Sequence, residues 1–422
     1  MISQQFIAVI IFFVVIVAIM SEKVHRAVAA VAGSVLLVLL RVLTIDTCIS
    51  YIDFNTIGVL IGMMLFVAVV RNSGLFEYVA IKAAKLAKGD PWKIMMFFMI
   101  LTAILSAFLD NVTTVLLIGP MTIAITRMLR INPVPFLMTQ IISSNIGGTA
   151  TLIGDPPNIM IGSAAHLSFM DFVVNLGPGI IVILSITIVC IYFIYGKKLI
   201  VDDSAMEEVL KLDEKKSVKD ASLMRKSLIM TAFVALGFLF HSALEIESSI
   251  IALTAASIIL IIGKQDVDEI IANVEWSTIL FFTGLFIVVG GMVEVGIIDK
   301  LAHLLMDVTE GHLVMTMLVL LWISAILSSI LDNIPFVATL IPLILTMEQS
   351  GLDVMPLWWA ISLGACLGGN GTLIGASANV VLSGISNKHG YPITFVQYLK
   401  IGYPMMILSV LLATIYLVVR FV

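Results

Sequence analysis

Residues 143–162 read SSNIGGTATLIGDPPNIMIG. Apolar, helix-like sequence flanks this stretch on both sides, yet it carries a glycine pair, a carboxylate, two prolines and several hydroxyl and amide side chains. Lipid cannot satisfy such groups, so a membrane helix interrupted here must lie against protein or water.

The rest of the chain makes a membrane setting unavoidable. Of 422 residues, 60% are hydrophobic and only 12% charged, and the mean hydropathy is +1.13. A water-soluble protein of this length needs far more charge on its surface. Apolar runs of about 15–20 residues, the length a bilayer core demands, recur from end to end. An all-α polytopic membrane protein is therefore expected. The first run, FIAVIIFFVVIVAIM, has no preceding basic region or small-residue cleavage site and is expected to remain as a membrane helix. A net charge of −5 gives no sign of nucleic-acid binding. Cys48, Cys190 and Cys366 are isolated, without metal or disulfide spacing, and are expected to pack as small apolar groups. The six histidines fall in expected loops, which disfavours a metal site.

Charge concentrates at residues 197–226, which hold 15 of the 51 acidic and basic side chains. This segment reads as a solvated cytoplasmic linker between a first membrane repeat, 1–196, and a second, 227–422. The two halves resemble each other in register. Gly62 and Gly284, Gly74 and Gly296, Pro120 and Pro342, and the Leu-Asp-Asn triplets at 109–111 and 331–333 all stand 222 residues apart. After one deletion, GGTATLIGDPPNI from Gly147 aligns with GGNGTLIGASANV from Gly368. Such spacing marks an internal repeat. In the first half, apolar helices are expected over 5–20, 27–44 and 54–70. An amphipathic stretch follows, then a pair at 92–109 and 113–129 around Leu-Asp-Asn, the interrupted segment 134–165, and a helix at 176–195. The second half repeats this order over 227–241, 249–263, 277–293, an amphipathic stretch near 297–308, a Leu-Asp-Asn pair, 355–386 and 402–421.

If each Leu-Asp-Asn pair is a re-entrant hairpin, each half crosses about five times, and the odd number inverts the second half. With the linker inside, 20 of the 23 lysines and arginines fall in inside loops, as the positive-inside rule requires. Both termini are then expected outside, with the protein in a cell (inner) membrane. Two full crossings in place of a hairpin would have the same parity.

Inverted repeats with helices broken at matching positions are the sequence mark of a secondary transporter. Gly147, Gly148 and Gly154 let the backbone leave helical geometry and let a ligand approach it. Pro156 and Pro157 favour the start of a new half-helix, whose N-terminus carries partial positive charge. Thr149, Thr151, Asn145 and Asn158 add oxygens and amides. Gly368, Gly369, Asn370, Thr372, Gly375 and Asn379 occupy the corresponding stretch of the second half. Asp110, Asp155 and Asp332 are the only acids expected well inside the apolar zone, with no basic residue beside them. An unpaired buried carboxylate is costly unless protonated or neutralised by a cation, so H⁺ or Na⁺ binding is expected. Plainer readings compete. Asp110 followed by Asn111 also suits a helix cap, Asp155 a simple turn, and a glycine pair a close helix contact.

SAFLDNVTTVLLIGP (106–120) followed by SNIGGTATLIGDPPNIMIG (144–162) closely resembles the ArsB/NhaD/P-protein branch of the ion-transporter superfamily, also called citrate-transporter-like permeases. The likeness returns in LDNIPFVATLIP and GGNGTLIGASANVV. The resemblance implies inverted repeats, each with a re-entrant hairpin and a helix broken at mid-membrane, a homodimer, and movement by an elevator mechanism. It implies hairpin tips at Asp110-Asn111-Val112-Thr113 and Asp332-Asn333-Ile334-Pro335, with Thr114 a further candidate binding residue and Na⁺ a candidate ligand of Asp110, Asn111, Asp332 and Asn333. Aspartate where related dicarboxylate carriers have serine is a departure, since added negative charge repels a dianion. The functions implied are arsenite or antimonite export, Na⁺/H⁺ antiport or other anion export, coupled to H⁺ or Na⁺ with no other cofactor. A soluble ATPase partner, as for some arsenite exporters, belongs to the same set of expectations. An uncoupled anion channel is the alternative of another class. No nucleophile–base pair indicates an enzyme.

Overall fold

A computed structural model describes residues 4–21 and 23–422. Residues 1–3, at the start of the expected first repeat, and Glu22, within the expected 21–26 loop, lie outside the described residues. The described chain is all-helical. The first half runs α1 (Gln4–Met20), α2 (Arg26–Leu39), α3 (Ile45–Tyr51), α4 (Phe54–Asn72), α5 (Leu75–Leu86) and α6 (Pro91–Phe108). It continues through α7 (Asn111–Met128), α8 (Val134–Gly148), α9 (Pro156–Ala164), α10 (Phe169–Asn175) and α11 (Gly177–Tyr195). After α12 (Asp203–Leu210), the second half runs α13 (Ala221–Phe240), α14 (Ser248–Gly263), α15 (Val267–Ala272), α16 (Trp276–Glu294), α17 (Ile297–Val308) and α18 (Leu313–Ile330). It ends with α19 (Asn333–Gln349), α20 (Met355–Gly368), α21 (Ser377–Lys388) and α22 (Phe395–Phe421). Eight of the described helices are long and apolar enough to cross a membrane, and the chain is an integral, multi-pass membrane protein.

The element order repeats, and so do its local causes. Gly74 and Gly296 precede α5 and α17 with φ of +82° and +71°, a conformation open to glycine without strain. At Gly74 a side chain would also strike the Ser217 carbonyl. Asp110 and Asp332 are the N-caps of α7 and α19. Pro120 and Pro342 sit inside those same helices, where each removes a backbone donor. α8 and α20 are buried along nearly their whole length, as expected of helices at the centre of a bundle.

The halves are interleaved. α14 packs on α4, and α2 packs on α16. A Cβ on Gly62 would lie 2.6 Å from the Ala252 carbonyl carbon, and one on Gly284 2.7 Å from that of Ala30. These two close crossings are the same contact made twice, 222 residues apart. They join the halves through backbone-to-backbone approach, the mode by which small residues hold membrane helices together.

Three expectations need correction. The charged segment is docked as well as solvated. α12 buries Ala205 and Val209, and Lys85 Nζ reaches Glu214 Oε2 at 2.6 Å and the Leu212 carbonyl at 3.0 Å. The Lys85 ammonium holds the Glu214 carboxyl below the usual carboxylate range. The helix expected from 227 already begins at Ala221, capped by Asp220, because a solvated first turn needs no apolar residues. His303 lies within α17 and not in a loop.

Candidate functional site

The opening stretch is a break. α8 stops at Gly148, residues 149–155 are non-helical, and α9 starts at Pro156. α20 and α21 are interrupted likewise over 369–376. The glycines permit the close crossing at each break. A Cβ on Gly147 would sit 2.2 Å from the Ala103 carbonyl oxygen, and one on Gly368 2.5 Å from that of Ala325. The asparagines tie off the freed backbone. Asn158 Nδ2 donates to the carbonyls of Gly148, Thr149 and Thr151 at 3.3, 3.2 and 2.9 Å. Asn379 Nδ2 donates to those of Gly369 and Thr372 at 2.8 and 2.9 Å. Thr151 and Thr372 donate to the carbonyls of Ala107 and Ser329, anchoring each break to the end of the neighbouring hairpin arm. Asn158→Ala leaves these carbonyls short of donors. It is expected to cost about 1–3 kcal/mol, read as a lower thermal midpoint of the purified protein in detergent.

Asp155 occupies the N-cap position of α9 but makes no capping bond. The local sequence explains this. Pro156 and Pro157 have no N–H to offer, and the next amide, that of Asn158, donates to the Asp155 carbonyl at 2.9 Å, so the carboxylate turns elsewhere. It is 2% exposed. Asn111 Nδ2 donates to its Oδ2 at 2.9 Å, and Asn333 Nδ2 lies 3.3 Å from Oδ1. The tips of both Leu-Asp-Asn pairs thus converge on one carboxylate, each through the first residue of its second arm. Behind it, Asn145 Nδ2 donates to Asn370 Oδ1 at 2.9 Å and Asn379 Oδ1 at 3.1 Å. Ser106 donates to Asn111 Oδ1. Among the described residues, no ion pair reaches Asp155. A cavity of about 30 Å³ adjoins it, shared by Asp110, Asn111, Glu275, Asn333 and Arg26. A water needs about 10–15 Å³ on this scale, so the space suits a bare cation or a water, not a larger solute.

The structure therefore gathers Asn111, Asn145, Asp155, Asn333, Asn370 and Asn379 into one polar core. It does not add Asp110 or Asp332. Asp110 caps α7, bonding the Thr113 amide at 2.8 Å and the Thr113 hydroxyl. The hydroxyl of Thr114 is buried without a hydrogen-bond partner. Thr149 bonds back to the Asn145 carbonyl at 2.7 Å. Gly148 and Gly154 bring the two ends of the first break together, since a Cβ on Gly148 would meet the Gly154 carbonyl at 2.8 Å. Gly369 and Gly375 stand at the same places in the second. Cys366, which aligns with Asn145, is buried with Sγ 3.7 Å from Asn158 Oδ1.

Two expectations about charge fail. A basic residue does lie in this zone. Arg26 Nη1 is 2.9 Å from Asp332 Oδ2, which weakens Asp332 as a Na⁺ ligand. Glu275, just ahead of α16, is a further acid, lining the cavity with Asp110 and Asp155. Both were missed because they stand at helix starts beside loops, where charge is ordinarily solvated. The α18–α19 tip reaches one of those starts only through the tertiary packing. Arg26 had a faint signal, as a lone arginine opening an apolar run.

Residues 16–364 match the citrate transporter family. An uncharacterised transporter of Mycobacterium tuberculosis is 41% identical over 98% of this chain and 98% of its own. A 46 kDa membrane protein of Mycobacterium leprae is 38% identical with the same coverage. The human P protein is 32% identical over 100% of this chain, which spans 60% of that protein. These matches agree with the resemblance drawn from the Leu-Asp-Asn and glycine motifs: the chain is a membrane transporter and belongs to the citrate transporter family.

Proposed function

We propose that the chain is a secondary active transporter in which Asp155 holds the coupling H⁺ or Na⁺. The observation that carries this reading is a buried carboxylate met by amides from both hairpin tips and, among the described residues, paired with no basic side chain. A fixed charge so placed needs a mobile partner. Citrate, suggested by the family name, small carboxylates and arsenite are the solutes to try. Asp110, Asp155 and Glu275 outnumber Arg26 around the cavity, so a polyanion enters only when protonated or with a cation.

The seams that α4 and α16 make with the broken helices support movement. Asn55 and Asp53, at the start of α4, bond Ser163 near the end of α9. At the start of α16, Thr278 connects through Arg26 to Ser377, the first residue of α21. Ser163 corresponds to Gly384, seven residues beyond Ser377, and seven residues of helix span about 10 Å. If the repeats are inverted, exchanging these two seams carries the hairpins and broken helices about that far along α4 and α16. That is an elevator movement. The linker is then cytoplasmic and both termini lie outside.

Uptake into proteoliposomes of Na⁺, arsenite and citrate, each with and without an imposed proton gradient, tests the reading. A coupled carrier follows the H⁺ or Na⁺ gradient. Flux that follows voltage alone would make the protein a channel.

A further inference from the structure

Arg26 is the first residue of α2, the helix that packs on α16. Its guanidinium makes three hydrogen bonds. Nη1 donates to Asp332 Oδ2 at 2.9 Å and to Ser377 Oγ at 2.6 Å, and Nη2 donates to Thr278 Oγ1 at 3.1 Å. The Phe281 ring centroid is 5.1 Å away. Ser377 Oγ also donates to Asp332 Oδ2 at 2.9 Å, so one carboxylate oxygen holds both groups. The pair is neither sealed nor loose, with side chains 25% and 14% exposed. A cavity of about 310 Å³ opens against it, bounded by Arg26, His25, Asp332 and Ser377.

The repeat shows that this pair is not a structural requirement of a hairpin tip. The position 222 residues from Arg26 is Ser248, and the one matching Asp332 is Asp110. Asp110 holds its tip by capping α7 and bonding Thr113, with no arginine. Asp332 caps α19 only weakly, at 3.5 Å from the Ile334 amide. Its carboxylate is turned toward Arg26 instead. Among the described residues, Arg26 is also the one basic side chain lining the small cavity beside Asp155, with the carboxylates of Asp110, Asp155 and Glu275. Its charge takes the place that a monovalent cation would take.

Resting on the coupled-carrier reading above, we propose that Arg26 is a tethered counter-cation. It occupies Asp332 when the carrier holds no ion, and the coupling cation must displace it to bind between the hairpin tips. The link between α2 and the α18–α19 tip is then made when the site is empty and broken when it is filled. This ties ion occupancy to release of the hairpin. The groups facing the pair that also titrate are His25, the N-cap of α2, Glu275 at α16, Asp110 at α7 and Asp155 at α9. Sodium dependence is therefore measured at fixed pH, and pH dependence at fixed sodium.

The test is Arg26→Gln in proteoliposomes, with Arg26→Met as a second uncharged variant that keeps an unbranched stem. With the competitor gone, half-saturation by the coupling cation is expected to fall about tenfold, within the range of coupled sites. Arg26→Lys, still charged, stays near wild type. An unchanged or weakened half-saturation in a folded Gln or Met variant overturns the proposal. So does failure of both to fold, because a displaceable arginine is not needed for folding. If wild-type flux responds to neither Na⁺ nor pH, the coupled-carrier reading fails first, and that result is distinct from these.

Discussion

Asp155→Asn is expected to lower gradient-driven uptake about a hundredfold while the protein still purifies as a folded species. The change is nearly isosteric, and an asparagine Oδ1 still accepts from Asn111 or Asn333, which now donate at 2.9 and 3.3 Å. What is lost is the negative charge. A charge interaction in a buried site is worth about 3 kcal/mol or more, and about 1.4 kcal/mol is tenfold in occupancy. Asp110→Asn is the comparison. Asparagine caps helices as well as aspartate does, so α7 survives, and the loss of flux is expected to be the smaller of the two. The measurement is initial uptake under an imposed H⁺ or Na⁺ gradient, beside a size-exclusion profile of each variant. Wild-type coupling in Asp155→Asn would remove Asp155 from the mechanism.

Gly147→Ala is expected to have the largest effect on folding. Its Cβ would stand 2.2 Å from the Ala103 carbonyl oxygen, and α6 cannot yield without parting from α8 along the crossing. Overpacking usually costs about 1–3 kcal/mol. Here the obstacle is backbone, so the cost belongs at or beyond the upper end. Gly384→Ala is the control, because nothing lies within 4 Å of a Cβ there. Inside α21 it is expected to raise stability by about 0.5–1 kcal/mol. The thermal midpoints of the two variants in detergent should therefore move in opposite directions.

The architecture was legible for a definite reason. Bilayer thickness sets helix length, and glycines and prolines leave a visible mark where a helix must stop. The amphipathic stretch near 297–308 is α17 at Ile297–Val308. The first Leu-Asp-Asn pair appears within two residues of its expected limits, 92–109 and 113–129. The short helices α3, α10 and α15 were not legible. At six or seven residues they carry too few turns for a periodic signal.

What the sequence alone determined is the set of elements: apolar spans, two matching breaks, and polar groups at the breaks and hairpin tips. Each is a local property, written in the spacing of a few neighbouring residues. Only the tertiary structure decided which carboxylate stands alone. Asp110, Asp155 and Asp332 look alike along the chain, but Asp110 caps its own helix. Asp332 meets an arginine 306 positions away. Asp155, followed by two prolines and an amide already bonded to its own carbonyl, receives both tips. The free energy of a buried charge depends on what packs against it in space, and no local pattern encodes that.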